Sequence, residues 1–135
     1  HVHLLPEEEP PVFSPISARR WPTGALIFEG LDFESEAEGA VREALVRLRA
    51  MGLVVNYMRV RGFPFGEEVE RFMAAHRMNF VVEQNRDAQL RSMLMLETRV
   101  DPNKLVPVLH YDGLPILAAT VIDGVNQDLA RGKAA

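Results

Sequence analysis

The sequence predicts a three-layer α/β/α sandwich on a mostly parallel sheet of four to five strands. Two observations lead there. Apolar runs of strand length alternate along the chain with amphipathic segments of helix length. The segments between successive strands are also long enough for crossovers, which parallel strands require and hairpins do not. No internal repeat or low-complexity block competes with this reading.

Residues 1–15 carry Pro6, Pro10, Pro11 and Pro15 around Glu7, Glu8 and Glu9. Such a composition favours an extended, solvated linker over a packed element. The domain proper is expected over 16–130. Residues 16–19 suit a short edge strand, and the compact apolar run 24–28, ended by Gly30, suits a buried one. A helix should follow from Ser35. Ser35 can cap it, Glu36 and Glu38 suit the positive end of its dipole, and Ala37, Val41, Ala44, Leu45 and Leu48 share one face. Gly52 should end it. Residues 53–60 read as the next strand, because β-branched residues open it and apolar side chains run through most of it.

After a loop at 61–66, a second helix begins near Glu67 with Val69, Phe72 and Met73 inward, and stops by His76 or Arg77. Residues 79–83 form a third strand. The polar turn Gln84-Asn85-Arg86 leads to a helix from about Asp87 that presents Leu90, Met93 and Leu94. Asp101-Pro102-Asn103 is a turn. The last strand, 106–110, contains Pro107, which cannot donate a ladder hydrogen bond and so belongs at a sheet edge. The closing helix opens at Pro115 and buries Leu117, Ala118, Val121, Ile122 and Val125. Residues 131–135 should fray.

Composition excludes several functions. At 135 residues the chain fits one domain. Its 47% apolar and 25% charged residues are ordinary for a globular protein. A net charge of -4 with scattered basic residues argues against a nucleic-acid partner, which demands a concentrated positive surface. With no cysteine, the chain offers no thiolates to an iron–sulfur cluster. No apolar run reaches the roughly 20 residues of a membrane helix, and no secretory pattern opens the chain, so a cytoplasmic setting without membrane is expected. His1 in place of Met suggests a processed protein or a domain cut from a longer one, and the cut domain is the favoured reading.

Sites for chemistry are few. A phosphate site would need a glycine-rich turn after the first buried strand, yet residues 30–36 are acidic and bulky. His1 and His3 alternate but have no further ligands nearby, so they read as a solvated end. His76 should cap its helix as an imidazolium, suited to the negative end of the dipole. His110, Tyr111, Asp112 and Gly113 follow a strand, at the edge where open α/β sheets place sites. His110 and Asp112 are open to three readings: a turn, a partner contact, or an acid–base pair that lacks an adjacent nucleophile. The loops at 61–66 and 83–89 share that edge. There Arg61, Glu83, Asn85, Arg86 and Asp87 surround Phe63 and Phe65. Aromatic anchors inside a polar rim describe an interface; alternatively, both rings fold inward over the sheet edge. No residue is assigned a catalytic, cofactor-binding or metal-binding role.

Three ordered motifs carry a resemblance: residues 58–65 (MRVRGFPF), 80–90 (FVVEQNRDAQL) and 108–115 (VLHYDGLP). They resemble the alpha subunits of 2-oxoacid:ferredoxin oxidoreductases, especially the 2-oxoglutarate type, over about residues 24–125. The resemblance implies the C-terminal domain of that subunit, similar to the transketolase C-terminal domain, which follows a pyrimidine-binding domain. In that family the holoenzyme uses thiamine diphosphate, iron–sulfur clusters and coenzyme A (CoA) to convert a 2-oxoacid to an acyl-CoA and pass electrons to ferredoxin. Thiamine and substrate sites lie on other domains and on the beta subunit, so the implied role here is non-catalytic docking and assembly. The family's short Gly-Ser-type turn after the first strand is replaced here by the longer acidic segment 31–38. The alternative is a stand-alone small-molecule-binding or regulatory α/β domain using the loops after the strands. An independent hydrolase lacks a nucleophile elbow.

Overall fold

A five-stranded sheet forms the middle layer of the computed structural model, which describes residues 2–3, 24–29, 36–60 and 64–134. The strands are β1 (Val2–His3), β2 (Gly24–Glu29), β3 (Val55–Val60), β4 (Met78–Glu83) and β5 (Leu105–Leu109), in spatial order β1-β3-β2-β4-β5. Strands β2 to β5 run parallel, and β1 lies antiparallel on the outer side of β3. The helices are α1 (Glu36–Ala50), α2 (Glu67–Ala74), α3 (Gln89–Glu97) and α4 (Ala118–Ala134), with a 3-10 turn at Pro102–Lys104. The fold is the expected α/β/α sandwich.

The layers follow from the handedness of crossovers. The chain steps from β2 to β3 in one direction and then back past β2 to β4, so right-handed connections place α1 and α2 on opposite faces. One core therefore joins Leu26, Phe28, Tyr57 and Phe80 to α1 and α4. The other joins Ile27, Met58, Val60 and Val81 to α2 and α3. Central β2 is covered on both faces, which is why residues 25–28 are continuously apolar instead of alternating.

Local chemistry sets the boundaries. Gly52, at φ 90°, ends α1 in a Schellman turn: its N–H donates to Arg49 O at 3.0 Å, and that of Leu53 to Leu48 O at 3.2 Å. Leu53 is thereby committed to the cap, so β3 starts at Val55 rather than at 53. Pro107 sits on β5, which pairs only with β4 among the described residues. The His110 N–H bonds Glu83 O at 2.9 Å, so by alternation Pro107 points its missing N–H outward and no ladder bond is lost.

Several expectations change. Val2–His3, within the stretch read as a solvated linker, adds a strand to the sheet edge. Helix α3 opens at Gln89, and Met93, expected inward, is exposed because Leu90 and Leu94 already define the buried stripe. Helix α4 opens at Ala118, so Ile116 is buried and Leu117 points to solvent. It runs on to Ala134, where fraying was expected. His76 does cap α2, its Nδ1 lying 2.7 Å from Phe72 O, but not as the imidazolium expected. Burial lowers its pKa, and its other nitrogen faces the Asn56 amide. The edge strand expected at 16–19 lies outside the described residues.

Candidate functional site

The carboxyl ends of β4 and β5 meet at one edge of the sheet, and two loops rise from them. At the first, buried Glu83 ends β4 and turns its carboxylate into the start of α3. Oε1 accepts the N–H of Leu90 at 2.6 Å, and Oε2 that of Arg91 at 3.2 Å. Asn85 completes the cap, donating from Nδ2 to Glu83 Oε1 at 3.0 Å and accepting the Gln89 N–H at 3.2 Å. These bonds support Ala88 in the left-handed region at φ 50°, an uncommon state for alanine. They also fill the place where a helix amino end would take a phosphate, since the carboxylate already occupies it.

At the second loop, His110 Nε2 lies 2.7 Å from Leu114 O and 3.1 Å from Asp112 Oδ1. Both neighbours are acceptors, so Nε2 carries a proton and shares it between them. Asp112 Oδ1 also accepts the Leu114 N–H at 2.9 Å, and Gly113 takes φ 84° to close the turn. The polar groups brace the loop, while Tyr111, Leu114 and Leu117 stand 60%, 67% and 64% exposed. An open cleft of about 450 Å³ lies between the two loops, lined by Gln84, His110, Tyr111, Gly113, Leu114 and Pro115. An imidazole oriented by a carboxylate is the arrangement of a general base, but the cleft's lining holds no serine, cysteine or lysine for it to activate.

The structure thus divides the residues singled out from sequence. Glu83 and Asn85 form one cluster and His110 and Asp112 another, joined by the backbone bond from His110 to Glu83. Glu83 is buried instead of standing on a rim. Arg86 and Asp87 pair at 3.6 Å on the open surface, both largely exposed. Phe65 is half-buried and packs inward on the core beneath α2 and α3. Arg61 and Phe63 lie outside the described residues, as does the acidic segment at 31–35.

Sequence reasoning missed the apolar triplet Tyr111, Leu114 and Leu117. Its signal was three large apolar residues around a Gly-Pro turn, where a loop ordinarily shows polar ones. It also missed Arg59, buried near the end of β3, whose Nη1 reaches Glu38 Oε2 on α1 at 3.2 Å. Its signal was a lone charge in the otherwise apolar second half of a strand. Among the described residues no three histidine or carboxylate side chains come together as a metal site, and no helix is long and apolar enough to cross a membrane.

No family model matches the sequence, and no curated protein matches it. Among solved structures, the chain is similar to a 2-oxoglutarate:ferredoxin oxidoreductase from Magnetococcus marinus, described with 2-oxoglutarate, coenzyme A and succinyl-CoA bound. The TM-score is 0.71 at 24% identity, over 95% of this chain and 19% of that one. The likeness is one of fold, and this chain spans about one fifth of that neighbour's length.

Proposed function

We propose that this chain is a non-catalytic docking and assembly domain of a 2-oxoglutarate:ferredoxin oxidoreductase-type enzyme, the transketolase C-terminal-like domain of its alpha subunit. The observation that carries this reading is the fold match, in which nearly the whole chain corresponds to one fifth of a longer oxidoreductase chain. The character of the carboxyl edge supports it. Glu83, Asn85 and His110 hold their own loops, and the exposed side chains there include three large apolar ones, Tyr111, Leu114 and Leu117, beside Arg86, Asp87 and Asp112. Exposed aliphatic and aromatic anchors within a polar rim suit burial against another protein surface.

On this reading the partners are the pyrimidine-binding domain of the same subunit and the beta subunit, and ferredoxin meets the assembled enzyme in the cytoplasm. Arg86, Asp87, His110 and Asp112 supply the polar rim. Thiamine diphosphate, the iron–sulfur clusters and coenzyme A would be held by the neighbouring parts, and this domain would keep those parts in register. Calorimetric titration of the chain with thiamine diphosphate tests the idea. No binding heat is expected, and tight binding of the thiamine cofactor to this chain alone would overturn it.

The cleft at His110 and Gln84 is the observation that favours the second reading, a small-molecule or regulatory domain. A thermal-shift screen against oxoacids and phosphorylated metabolites separates the two, because a pocket domain would be stabilised by its ligand in proportion to occupancy.

A further inference from the structure

The amino edge of the sheet, opposite the docking loops, holds a chain of three polar side chains. Arg49, in the last turn of α1, donates from Nε to Val55 O at 2.9 Å, and its Nη2 lies 3.5 Å from Asn56 Oδ1. Asn56, on β3, faces the other layer, where its Nδ2 lies 2.9 Å from His76 Nε2. His76, just past α2, completes the chain with Nδ1 at 2.7 Å from Phe72 O. We propose that Arg49, Asn56 and His76 form an acid-sensitive clasp, which ties the two helical layers together across β3 and opens when the imidazole takes up a proton.

The donor and acceptor pattern permits one arrangement. Arg49 has only hydrogens to give, so it fixes the Asn56 oxygen on its own side and leaves the amide NH2 toward His76. Nε2 must then accept, and Nδ1 must carry the proton given to the Phe72 carbonyl. Protonation places an N–H on Nε2 against the N–H of Asn56. The amide cannot relieve this by flipping, because its NH2 would then face the guanidinium.

The charges around His76 add to the effect. From the 3-10 turn, Lys104 Nζ bonds the carbonyl of the helix's last residue, Ala74 O, at 3.3 Å, and Arg49 stands one amide away. From β4, the neutral Asn79 bonds Met73 O at 3.1 Å, and the Phe72 ring lies against the imidazole with centroids 4.3 Å apart. An imidazolium would therefore join two cations in a largely dry site. Burial lowers the His76 pKa, the bond to the Phe72 carbonyl opposes this, and Lys104 adds to the lowering. A histidine with a depressed folded-state pKa binds its proton more readily in the unfolded chain. Its contribution to stability is complete above the ordinary value of about 6.5 and is lost as pH falls through that value toward the folded one.

The test is a pH series of thermal unfolding, with an NMR titration of the His76 ring. The parent should lose melting temperature between pH 7.5 and 5.5, with His76 titrating below about 6.5. His76→Gln leaves the other histidines in place and should flatten most of that loss. Asn56→Asp reverses the logic, because a carboxylate between Arg49 and the ring accepts from both, so His76 should now titrate above about 6.5. A parent ring titrating at or above the ordinary value would overturn the clasp. So would equal acid sensitivity in parent and His76→Gln. Should that variant fail to fold, the parent titration and Asn56→Asp still decide.

Discussion

Glu83 and Leu90 are joined by a 2.6 Å hydrogen bond that carries the carboxylate at the end of β4 into the amino end of α3. A buried oxygen accepting helix N–H groups does the work of an N-cap from a distance of seven residues. Removing it leaves those donors without a partner. Glu83→Ala should cost about 1–3 kcal/mol, the usual penalty for a buried unsatisfied group. That corresponds to a fall on the order of 5–15 °C in Tm. Glu83→Gln keeps one accepting oxygen and should cost less. Thermal unfolding by circular dichroism reads both, and an alanine variant as stable as its parent would remove the cap from the account.

The buried pair Arg59–Glu38 makes the second case. Its two side chains are almost wholly shielded from water, so each charge contributes to compensating the other. Arg59→Met leaves a carboxylate in the core and should destabilise by roughly 3–5 kcal/mol. Adding Glu38→Leu to Arg59→Met should recover most of the loss, because two apolar groups need no compensation. Denaturant unfolding of the two single variants and the double variant gives the coupling directly, and additive losses would count against the pair.

Most of the fold could be read from the chain because period and length carry it. Residues 25–28 are apolar without alternation, as burial on both faces demands, and Val41, Ala44, Leu45 and Leu48 all reached the core on the expected helical stripe. Boundaries failed where a side chain reached across the structure. Helix α3 starts late because its cap comes from Glu83, and α4, expected from Pro115, starts at Ala118. No local rule announces bonds of this kind. The site was legible in its position, at the carboxyl edge, but not in its polarity. Glu83, chosen for its charge, turned inward, whereas Leu117, chosen as core, turned out. Which side a loop residue faces depends on packing that sequence spacing does not encode.

Gly124 on α4 lies close against Val108 of β5. A methyl group placed there would meet Val108 Cγ2 at 2.8 Å and Cγ1 at 2.9 Å, closer than carbon atoms tolerate. Alanine normally favours a helix over glycine by about 1 kcal/mol, so the sign of the substitution decides between propensity and packing. Gly124→Ala should destabilise, since overpacking typically costs about 1–3 kcal/mol. Val108→Ala in the same chain should restore stability beyond that of Val108→Ala alone. A double-mutant cycle from denaturant unfolding measures this, and a stabilising Gly124→Ala would show that α4 shifts freely on β5.

Strand β5 is an edge of the sheet among the described residues, and two side chains guard it. Pro107 points outward with no N–H to offer a passing strand, and Arg91 bends around to donate from Nε to Leu105 O at 2.7 Å and from Nη2 to Pro102 O at 3.3 Å. Together they remove a donor and occupy an acceptor, the means by which natural sheets avoid pairing edge to edge. Pro107→Val with Arg91→Ala would restore an unbroken row of both. The expected result is concentration-dependent self-association beyond that of the parent, seen by sedimentation velocity. Far-ultraviolet circular dichroism should still report the parent's secondary structure. If the double variant sediments as the parent does at every concentration, the edge is protected by something other than these two residues.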